Sequence, residues 1–178
     1  MSEPSQELAE RARRLRLMVF DVDGVLTDGT LWYDREGEAL KGFHAFDGHG
    51  IRMLAASGVA CALLSGRSSA AVSVRAAELE IAHVLQGSDD KKKEYEALLK
   101  RLGLRYQEAG FMGDELVDLP VLTRCGFAAA PREAPEAVRS RVHYVAGAPA
   151  GRGAAREVCE VVMRAQGTLE RAIQGYLR

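Results

Sequence analysis

The chain has 178 residues, of which 47% are hydrophobic and 28% are charged, and its formal net charge at pH 7 is −1. This composition is typical of a globular protein, and the length allows one domain with a sizeable core. A net charge so close to zero gives no bulk attraction to nucleic acid or to an anionic membrane, and no apolar run approaches the length of a membrane span. We therefore predict a single domain over residues 1–178 that has neither kind of partner.

Cysteine usage and the amino-terminal sequence both indicate a reducing compartment. The three cysteines are widely spaced and odd in number, which does not suit a disulfide framework. Residues 1–16 lack the apolar segment of a secretory signal, so we expect a cytoplasmic protein. The four histidines show no spacing typical of zinc ligands.

Strand-like and helix-like segments alternate along the chain. Residues 3–14 are polar and rich in alanine and arginine, which predicts a short surface helix, and residues 15–20 form an apolar run typical of a buried strand. Further strands are predicted at 59–64, 81–85, 109–112, 126–130 and 142–146, and helices at 48–58, 68–79, 89–103, 116–126, 135–141, 153–166 and 168–177. This alternation predicts an α/β fold, a doubly wound and mostly parallel sheet with helices on both faces.

A β-hairpin is predicted between the first strand and the next helix. Two β-prone segments, residues 30–33 and 39–44, flank the turn-forming sequence Asp34-Arg35-Glu36-Gly37. Such an insertion is unusual in a plain βαβ unit, so we expect either a flap over a site or a surface for oligomerisation. Trp32, the single tryptophan of the sequence, lies in this segment, and aromatic residues are enriched at interfaces.

Two carboxylates follow the first strand directly. Asp21 and Asp23 are two positions apart, so both point to one side of an extended backbone, and Gly24 permits a sharp turn after them. Carboxylates this close repel each other unless a cation or a shared proton compensates their charge. A polar turn at a strand end is the alternative interpretation. The polar cluster continues through residues 27–29, which favours a functional site.

Polar side chains also follow the next three predicted strands. They are Ser65-Gly66-Arg67, then Lys91, then Asp114. Because the carboxyl ends of parallel strands meet in one crevice, we expect these residues to lie near the two acids. The set suits phosphoryl transfer, in which a carboxylate accepts the phosphoryl group, Mg²⁺ bound by oxygen ligands compensates negative charge, and a hydroxyl and a lysine stabilise the transferring oxygens.

Each of these residues also has a plain structural alternative. Ser65 can be the N-cap of a helix, Lys91 belongs to a lysine run that can be a solvated helix face, and Asp114 with Glu115 can charge a helix N-terminus favourably. Asp118 lies about one helical turn beyond Asp114 and can orient a bound ligand without touching it. The shared location of the set favours the functional interpretation.

The motifs resemble those of a known superfamily. DVDGVLTDG is similar to the signature of the haloacid dehalogenase-like phosphatases, and LLSGR, Lys91 and GDELVD match the remaining three motifs in the right order. Residues 15 to 167 also resemble one family within it, the 3-deoxy-D-manno-octulosonate 8-phosphate (KDO-8-phosphate) phosphatases. The segments that carry this narrower resemblance are GEALKGFHAFDGHGIR, QGSDDK, GDELVDLP and GRGAAREVCEVVMRAQG.

The resemblance implies a Mg²⁺-dependent phosphatase and a role for each acidic motif residue. Asp21 would be the nucleophile, and Asp23 would protonate the leaving sugar oxygen and then activate water. Mg²⁺ would be held by Asp21, by the backbone carbonyl of Asp23 and by Asp114.

Other motif residues would serve the phosphoryl group and the metal site. Ser65, Gly66 and Lys91 would hold the phosphoryl oxygens. Asp118 and Glu115 would support the site from behind the direct ligands.

The resemblance also implies an assembly and a substrate. Family members have no large cap domain and form homotetramers, in which the hairpin and C-terminal tail of one subunit close the active site of a neighbour. For this chain, that implies a homotetramer with a hairpin flap at 30–44 and a tail at 167–178, a sugar phosphate substrate and a role in lipopolysaccharide synthesis. The substrate-facing candidates would be Lys41, His44, Arg67 and Arg75.

Two positions depart from many relatives. Glu115 stands where a second aspartate is common, and its extra methylene suits a supporting role better than direct ligation. Phe46 stands where an arginine often precedes the Asp-Gly pair, so if that arginine binds the sugar carboxylate, this chain must bind it differently. A related nine-carbon sugar acid phosphate, or a range of small phosphate monoesters, therefore stays open as the substrate.

Two non-enzymatic functions are the alternatives. A phosphorylatable receiver domain also combines acids, a hydroxyl, a lysine and Mg²⁺, but its acid pair and its nucleophile normally lie on different strands, whereas one strand end here carries Asp21 and Asp23. A non-catalytic scaffold would have no need to keep four charged residues whose proximity is unfavourable without a function, namely Asp21, Asp23, Lys91 and Asp114.

Overall fold

The computed structural model describes residues 5–177, except for the side chains of residues 38 and 39. The strands are β1 (Leu17–Phe20), β2 (Trp32–Asp34), β3 (Gly37–Leu40), β4 (Ala60–Leu64), β5 (His83–Leu85), β6 (Ala109–Met112), β7 (Phe127–Ala130) and β8 (Tyr144–Val145). The helices are α1 (Gln6–Arg13), α2 (Ala45–Ala56), α3 (Ala70–Glu78), α4 (Lys91–Leu102), α5 (Leu119–Leu122), α6 (Glu136–Arg139), α7 (Ala154–Ala165) and α8 (Leu169–Gly175).

Six of the strands form one sheet in the order β5-β4-β1-β6-β7-β8, and every neighbouring pair in it is parallel. Since β1 lies in the middle, it pairs with β4 on one side and with β6 on the other. The change of strand order beside β1 is the switch point at which α/β sheets bind ligands. The predicted doubly wound parallel sheet is confirmed.

The side chains of β1 alternate between two cores, one on each face of the sheet. Met18 and Phe20 pack into the core formed with α1, α2, α3 and α7, whereas Leu17 and Val19 pack into the core formed with α4, α5 and α6. All four are fully buried, and burying a side chain such as Phe20 contributes about 1.5–3 kcal/mol. The apolar run read from the sequence is therefore a strand buried on both faces, as expected for a parallel sheet.

The second strand of the hairpin begins and ends earlier than predicted. Its strands are β2 and β3, so the second strand lies at 37–40 and the predicted strand at 39–44 is wrong. The carboxylate of Asp34 accepts hydrogen bonds from the backbone N–H groups of Glu36 and Gly37, which closes the turn earlier. Residues 41–44 leave the hairpin because the His44 ring accepts a hydrogen bond from the N–H of Phe46 and caps α2. For that reason α2 begins at 45 and not at 48.

The predicted helix at 116–126 is also wrong in extent. A 3-10 turn occupies Leu116–Asp118, and only the four residues of α5 follow as α-helix. Asp118 causes this break, because its carboxylate accepts hydrogen bonds from the N–H groups of Asp114 and Glu115 and so bends the chain back. The other elements match their predicted positions within three residues, and β6 has the predicted bounds.

Several sequence predictions touch residues outside this description. Residues 3–4 of the first predicted helix and residue 178 of the predicted tail lie outside the described residues. Among residues 5–177, the helices are too short or too polar to cross a membrane. The assignment of residues 1–178 to a single domain stays a prediction.

Candidate active site

A cavity of about 330 Å³ lies at the carboxyl ends of β1, β4 and β6. Asp21 follows β1 directly, Ser65 follows β4 directly, and Lys91 is the first residue of α4. The topology therefore brings together residues that are far apart in the sequence. The cavity is lined by Asp21, Asp23, Gly24, Gly29, Leu31, Ser65, Gly66, Arg67, Lys91, Asp114, Glu115 and Val117.

Three buried charges form the floor of the cavity. The Lys91 ammonium donates a hydrogen bond of 2.7 Å to Asp21 Oδ2 and one of 2.6 Å to Asp118 Oδ1. The second oxygen of Asp118 accepts from the N–H groups of Asp114 and Glu115. Because both oxygens of Asp118 are occupied within the protein, its place in the structure is that of a residue that orients Lys91 and the loop at 113–115.

Asp114 faces Asp21 across the loop that follows β1. Gly24 in that loop has a φ of +80°, and a Cβ there would lie 2.1 Å from Asp114 Oδ2, so only glycine permits this approach. One carboxylate oxygen each from Asp21, Asp114 and Asp118 lies within 4.8 Å of the others. Asp114 Oδ1 is buried and has no hydrogen-bond partner in the described part of the chain. An unpartnered buried carboxylate oxygen beside two further acids fits a hard cation such as Mg²⁺.

The pKa values of Asp21, Asp114 and Lys91 are all raised, which reflects the excess of negative charge at the bottom of the cavity. Burial, and then repulsion by Asp118, raises the pKa of Asp21 to about 6 although Lys91 opposes this shift. Burial, followed by the charges of Asp21 and Asp118, raises the pKa of Asp114 to about 8. Burial opposes the charge on Lys91, but the carboxylates of Asp21 and Asp118 outweigh it and raise the pKa of Lys91. A bound cation would remove the repulsion that holds protons on these acids.

Asp23 lies at the side of the cavity, where two cations approach it. Lys41 donates to Asp23 Oδ1, and Arg67 Nε lies 3.9 Å from Asp23 Oδ2. Arg67 also donates a hydrogen bond of 3.1 Å to the hydroxyl of Tyr33 in β2. The hairpin thus stands directly over the predicted acid–base residue.

The phosphate-binding candidates of the second motif also line the cavity. Ser65 is buried, its N–H donates to Leu85 O, and its carbonyl accepts from the N–H of Ser88. These bonds hold the loop after β4 against the loop after β5. The Ser65 hydroxyl oxygen accepts a bond of 3.2 Å from the N–H of Arg67, which leaves its proton available to a ligand.

Two substrate-facing candidates lie elsewhere in this subunit. Arg75 donates to the carbonyl of His44 at 3.4 Å and to Glu78 at 3.1 Å, and neither Arg75 nor His44 lines the cavity. Their predicted contact with substrate stays a prediction about a neighbouring subunit's site. Phe46 is 66% exposed at the start of α2.

Glu115 lies at the edge of the cavity, with its side chain exposed. That side chain accepts a hydrogen bond of 2.6 Å from the N–H of Leu116. This local contact fits a supporting residue of the loop.

Sequence reasoning missed Tyr33 and Gly151. No periodicity indicated that the Tyr33 hydroxyl would meet Arg67. Gly151 has a φ of +57°, and a Cβ there would lie 2.4 Å from the backbone of Thr27, while its N–H donates to Val25 O. The GRG sequence therefore packs against the loop that carries Asp23, a contact that the family resemblance of this segment did not reveal.

Comparison with known proteins agrees with this geometry. A family model described as haloacid dehalogenase-like hydrolase matches residues 63–158. The 3-deoxy-D-manno-octulosonate 8-phosphate phosphatase KdsC of Yersinia pestis is 38% identical to this chain over 168 residues, which cover 94% of this chain and 90% of the relative. This chain belongs to the KDO-8-phosphate phosphatase family. The predicted resemblance is confirmed, and the chain is a phosphomonoester hydrolase.

Solved structures place the fold in the same family. The phosphatase of this family from Moraxella catarrhalis, solved with magnesium, phosphate and KDO, is 37% identical and has a TM-score of 0.94 over 97% of this chain and 99% of that one. A probable YrbI family phosphatase from Pseudomonas syringae is 46% identical, with a TM-score of 0.95 over 98% of this chain and 99% of that one. Both alignments therefore extend over nearly the whole of this chain.

Proposed function

We propose that this chain hydrolyses KDO-8-phosphate to KDO and phosphate in a Mg²⁺-dependent reaction, with an aspartyl phosphate on Asp21 as the intermediate. The observation that carries the proposal is the single cavity in which Asp21, Lys91 and Asp114 meet at the strand ends. The Moraxella catarrhalis relative binds magnesium, phosphate and KDO, which supports this choice of metal and substrate.

Two proton transfers by Asp23 complete the proposed reaction. An oxygen of Asp21 attacks phosphorus, the bond from phosphorus to the sugar oxygen breaks, and Asp23 gives its proton to that oxygen. Asp23 then takes a proton from a water molecule, whose oxygen attacks phosphorus and breaks the bond to Asp21. The products are KDO, with a free hydroxyl where the phosphate was attached, and inorganic phosphate, and both aspartates return to their starting states.

Lys91 and Ser65 hold the phosphoryl oxygens in this proposal. Asp118 directs the Lys91 ammonium towards Asp21, so its charge lies beside the oxygen that attacks phosphorus. Mg²⁺ held by Asp21, the carbonyl of Asp23 and Asp114 would let an anionic nucleophile approach an anionic phosphate.

Recognition of the sugar acid must use cations other than an arginine at position 46. Arg67 lines the cavity, and its side chain is 52% exposed. Its guanidinium can therefore form a bidentate ion pair with a carboxylate. We propose Arg67 as the main carboxylate contact within one subunit. The nine-carbon sugar acid phosphate is the alternative substrate, because Phe46 changes this part of the family pattern.

The proposal includes a homotetramer that acts in lipopolysaccharide synthesis in the cytoplasm. Trp32, Tyr33 and Leu40 of the hairpin are 57%, 59% and 68% exposed, which supports a hairpin covered by a neighbouring subunit. The cysteines are free and buried, as expected for a reducing compartment.

The test measures phosphate release from KDO-8-phosphate, a nine-carbon sugar acid phosphate and simple phosphate monoesters, each with Mg²⁺ and with a chelator. We expect the highest kcat/KM for KDO-8-phosphate and loss of turnover with the chelator. Asp21→Asn should lower kcat by about 10³-fold or more while the fold is kept, as for other nucleophile substitutions. Asp89→Asn, an exposed acid outside the cavity lining, is the matched control and should keep its activity.

The outcomes separate substrate from mechanism. If another phosphate ester gave a higher kcat/KM, that compound and not KDO-8-phosphate would be the preferred substrate. Turnover by Asp21→Asn close to that of the unaltered chain, or turnover indifferent to the chelator, would refute the mechanism.

A further inference from the structure

The hairpin supplies one contact of Asp23 directly and bears on a second one, which Arg67 of the loop after β4 makes. Lys41, the residue directly after β3, forms an ion pair with Asp23 Oδ1. On the other side, Arg67 Nε lies 3.9 Å from Asp23 Oδ2, and Tyr33 in β2 accepts a hydrogen bond from the same guanidinium. The hairpin therefore contacts Asp23 directly through Lys41, and it contacts the second partner of Asp23, Arg67, through Tyr33.

Burial makes the contact with Lys41 the firmer of the two. The Lys41 side chain is 2% exposed and that of Asp23 is 21% exposed, whereas that of Arg67 is 52% exposed. A lysine ammonium taken out of water needs an anionic partner, so Lys41 and Asp23 restrict each other. Asp23 Oδ2 makes no hydrogen bond within the described part of the chain, which leaves it as the oxygen that can exchange protons.

We propose that Lys41 is a positioning residue for the acid–base step. By holding Asp23 Oδ1, it keeps the carboxylate in the orientation in which Oδ2 serves first the leaving sugar oxygen and then the attacking water. The inference rests on the proposed function, because it assigns a role within that reaction. It differs from the substrate-binding role that the family resemblance implies for Lys41.

The two roles of Lys41 predict different kinetics. A lysine that binds the sugar carboxylate contributes to substrate affinity, so its removal raises KM. A lysine that aligns Asp23 affects only the proton transfers, so its removal lowers kcat. The loss should also depend on the leaving group, because a weakly basic leaving group departs without a proton.

The experiment compares Lys41→Met, Lys41→Arg and Tyr33→Phe with the controls Lys100→Met, in an exposed part of α4, and Tyr106→Phe, whose hydroxyl donates to Glu96 away from the cavity lining. We expect Lys41→Met to lower kcat for KDO-8-phosphate by about 10- to 100-fold, a part of the about 10²- to 10⁴-fold that acid–base catalysis supplies. KM should stay within about threefold. Lys41→Arg should recover part of kcat, Tyr33→Phe should lose less than Lys41→Met, and both controls should match the unaltered chain.

A first-turnover measurement separates alignment of the acid from general damage to the site. Rapid mixing would follow alcohol release from KDO-8-phosphate and p-nitrophenol release from p-nitrophenyl phosphate. Since p-nitrophenolate needs no proton to leave, we expect Lys41→Met to slow its release far less than that of the sugar. If Lys41→Met fails to fold, Lys41→Arg decides by the same comparison, because it keeps the cation but changes the position of its donor atoms relative to Asp23.

Three results would overturn the inference while leaving the proposed function intact. They are a kcat of Lys41→Met within about threefold of the unaltered chain, a rise in KM without a fall in kcat, and equal slowing of both leaving groups. An unaltered chain that hydrolyses no phosphate monoester in the presence of Mg²⁺ would refute the proposed function itself.

Discussion

The floor of the cavity and the hairpin above it both place charged groups, but they do so by different means. On the floor, Lys91 is hydrogen-bonded at 2.7 Å to Asp21 and at 2.6 Å to Asp118, and all three side chains are at most 8% exposed. In the hairpin, Lys41 and Tyr33 reach the site from a two-stranded sheet in which Trp32, Tyr33 and Leu40 are exposed. The floor is held by the main sheet, whereas the described side chains of β2 and β3 belong to neither buried core.

The difference indicates a division of labour. Buried charges on the floor depend on one another, because each would be costly without its partners. A two-stranded hairpin is at best marginally stable alone, so its position depends on contacts with the rest of the protein, such as those that Lys41 and Tyr33 make. We infer that the floor determines whether phosphoryl transfer occurs, and that the hairpin determines how well the acid is aligned.

Removal of Lys91 tests the floor and has the largest expected effect. Lys91→Met leaves the carboxylates of Asp21 and Asp118 buried without a cation, so we expect the free energy of unfolding in chelator to fall by about 3–5 kcal/mol. Urea denaturation followed by circular dichroism measures this change. Lys93→Met, on the exposed side of the same helical turn, should stay within about 0.5 kcal/mol of the unaltered chain. Equal stability of the two variants would show that the floor does not depend on its ion pairs.

The effect of pH on metal binding tests the same region, and its expected effect on stability is smaller. In the folded protein the pKa of Asp21 is about 6 and that of Asp114 is about 8, both above the usual 3.8. The folded state therefore holds protons that the unfolded state has lost, and the cation-free protein loses stability as pH rises from about 4 to about 8. A cation replaces those protons, so Mg²⁺ should raise Tm more at pH 8 than at pH 5.

Thermal unfolding at the two pH values, with Mg²⁺ and with chelator, measures this difference. We expect it to reach several degrees, since about 1 kcal/mol corresponds to about 2–4 °C for a chain of this size. Asp114→Asn removes both the titrating group and a proposed ligand, and should abolish most of the pH dependence. A Tm increase from Mg²⁺ that is the same at both pH values would contradict the assignment of Asp114.

Substitution of the exposed hairpin residues has the smallest expected effect on stability. Trp32→Ser combined with Leu40→Ser should weaken subunit association, while the free energy of unfolding of one subunit changes by no more than about 0.5 kcal/mol per site, as for other exposed positions. Sedimentation velocity measures the assembly. Val74→Ser, at an exposed position in α3, should leave it unchanged. If the double variant assembled as the unaltered chain does, the hairpin would not be part of the subunit interface.

The cavity floor was largely predictable because a simple rule connects it to the sequence. Asp21, Ser65 and Asp114 follow apolar strands within two residues, Lys91 begins the helix that follows β5, and parallel strands bring their carboxyl ends together. The hairpin was less predictable. Its turn depends on a side-chain contact from Asp34, and the path after β3 depends on the cap that His44 gives to α2, so period-two patterning alone misplaced the second strand.

The sequence by itself determined the sheet, the superfamily motifs and the acids of the floor, since periodic burial and strand-end chemistry are local properties. Only the tertiary structure decided that Lys41 pairs with Asp23 and that Arg75 lies away from the cavity. It also decided that both carboxylate oxygens of Asp118 accept hydrogen bonds within the protein. The physical reason is that long side chains find partners across elements whose relative placement depends on packing. An ion pair between residues that are not adjacent in any helix or strand leaves no periodic signal in the chain.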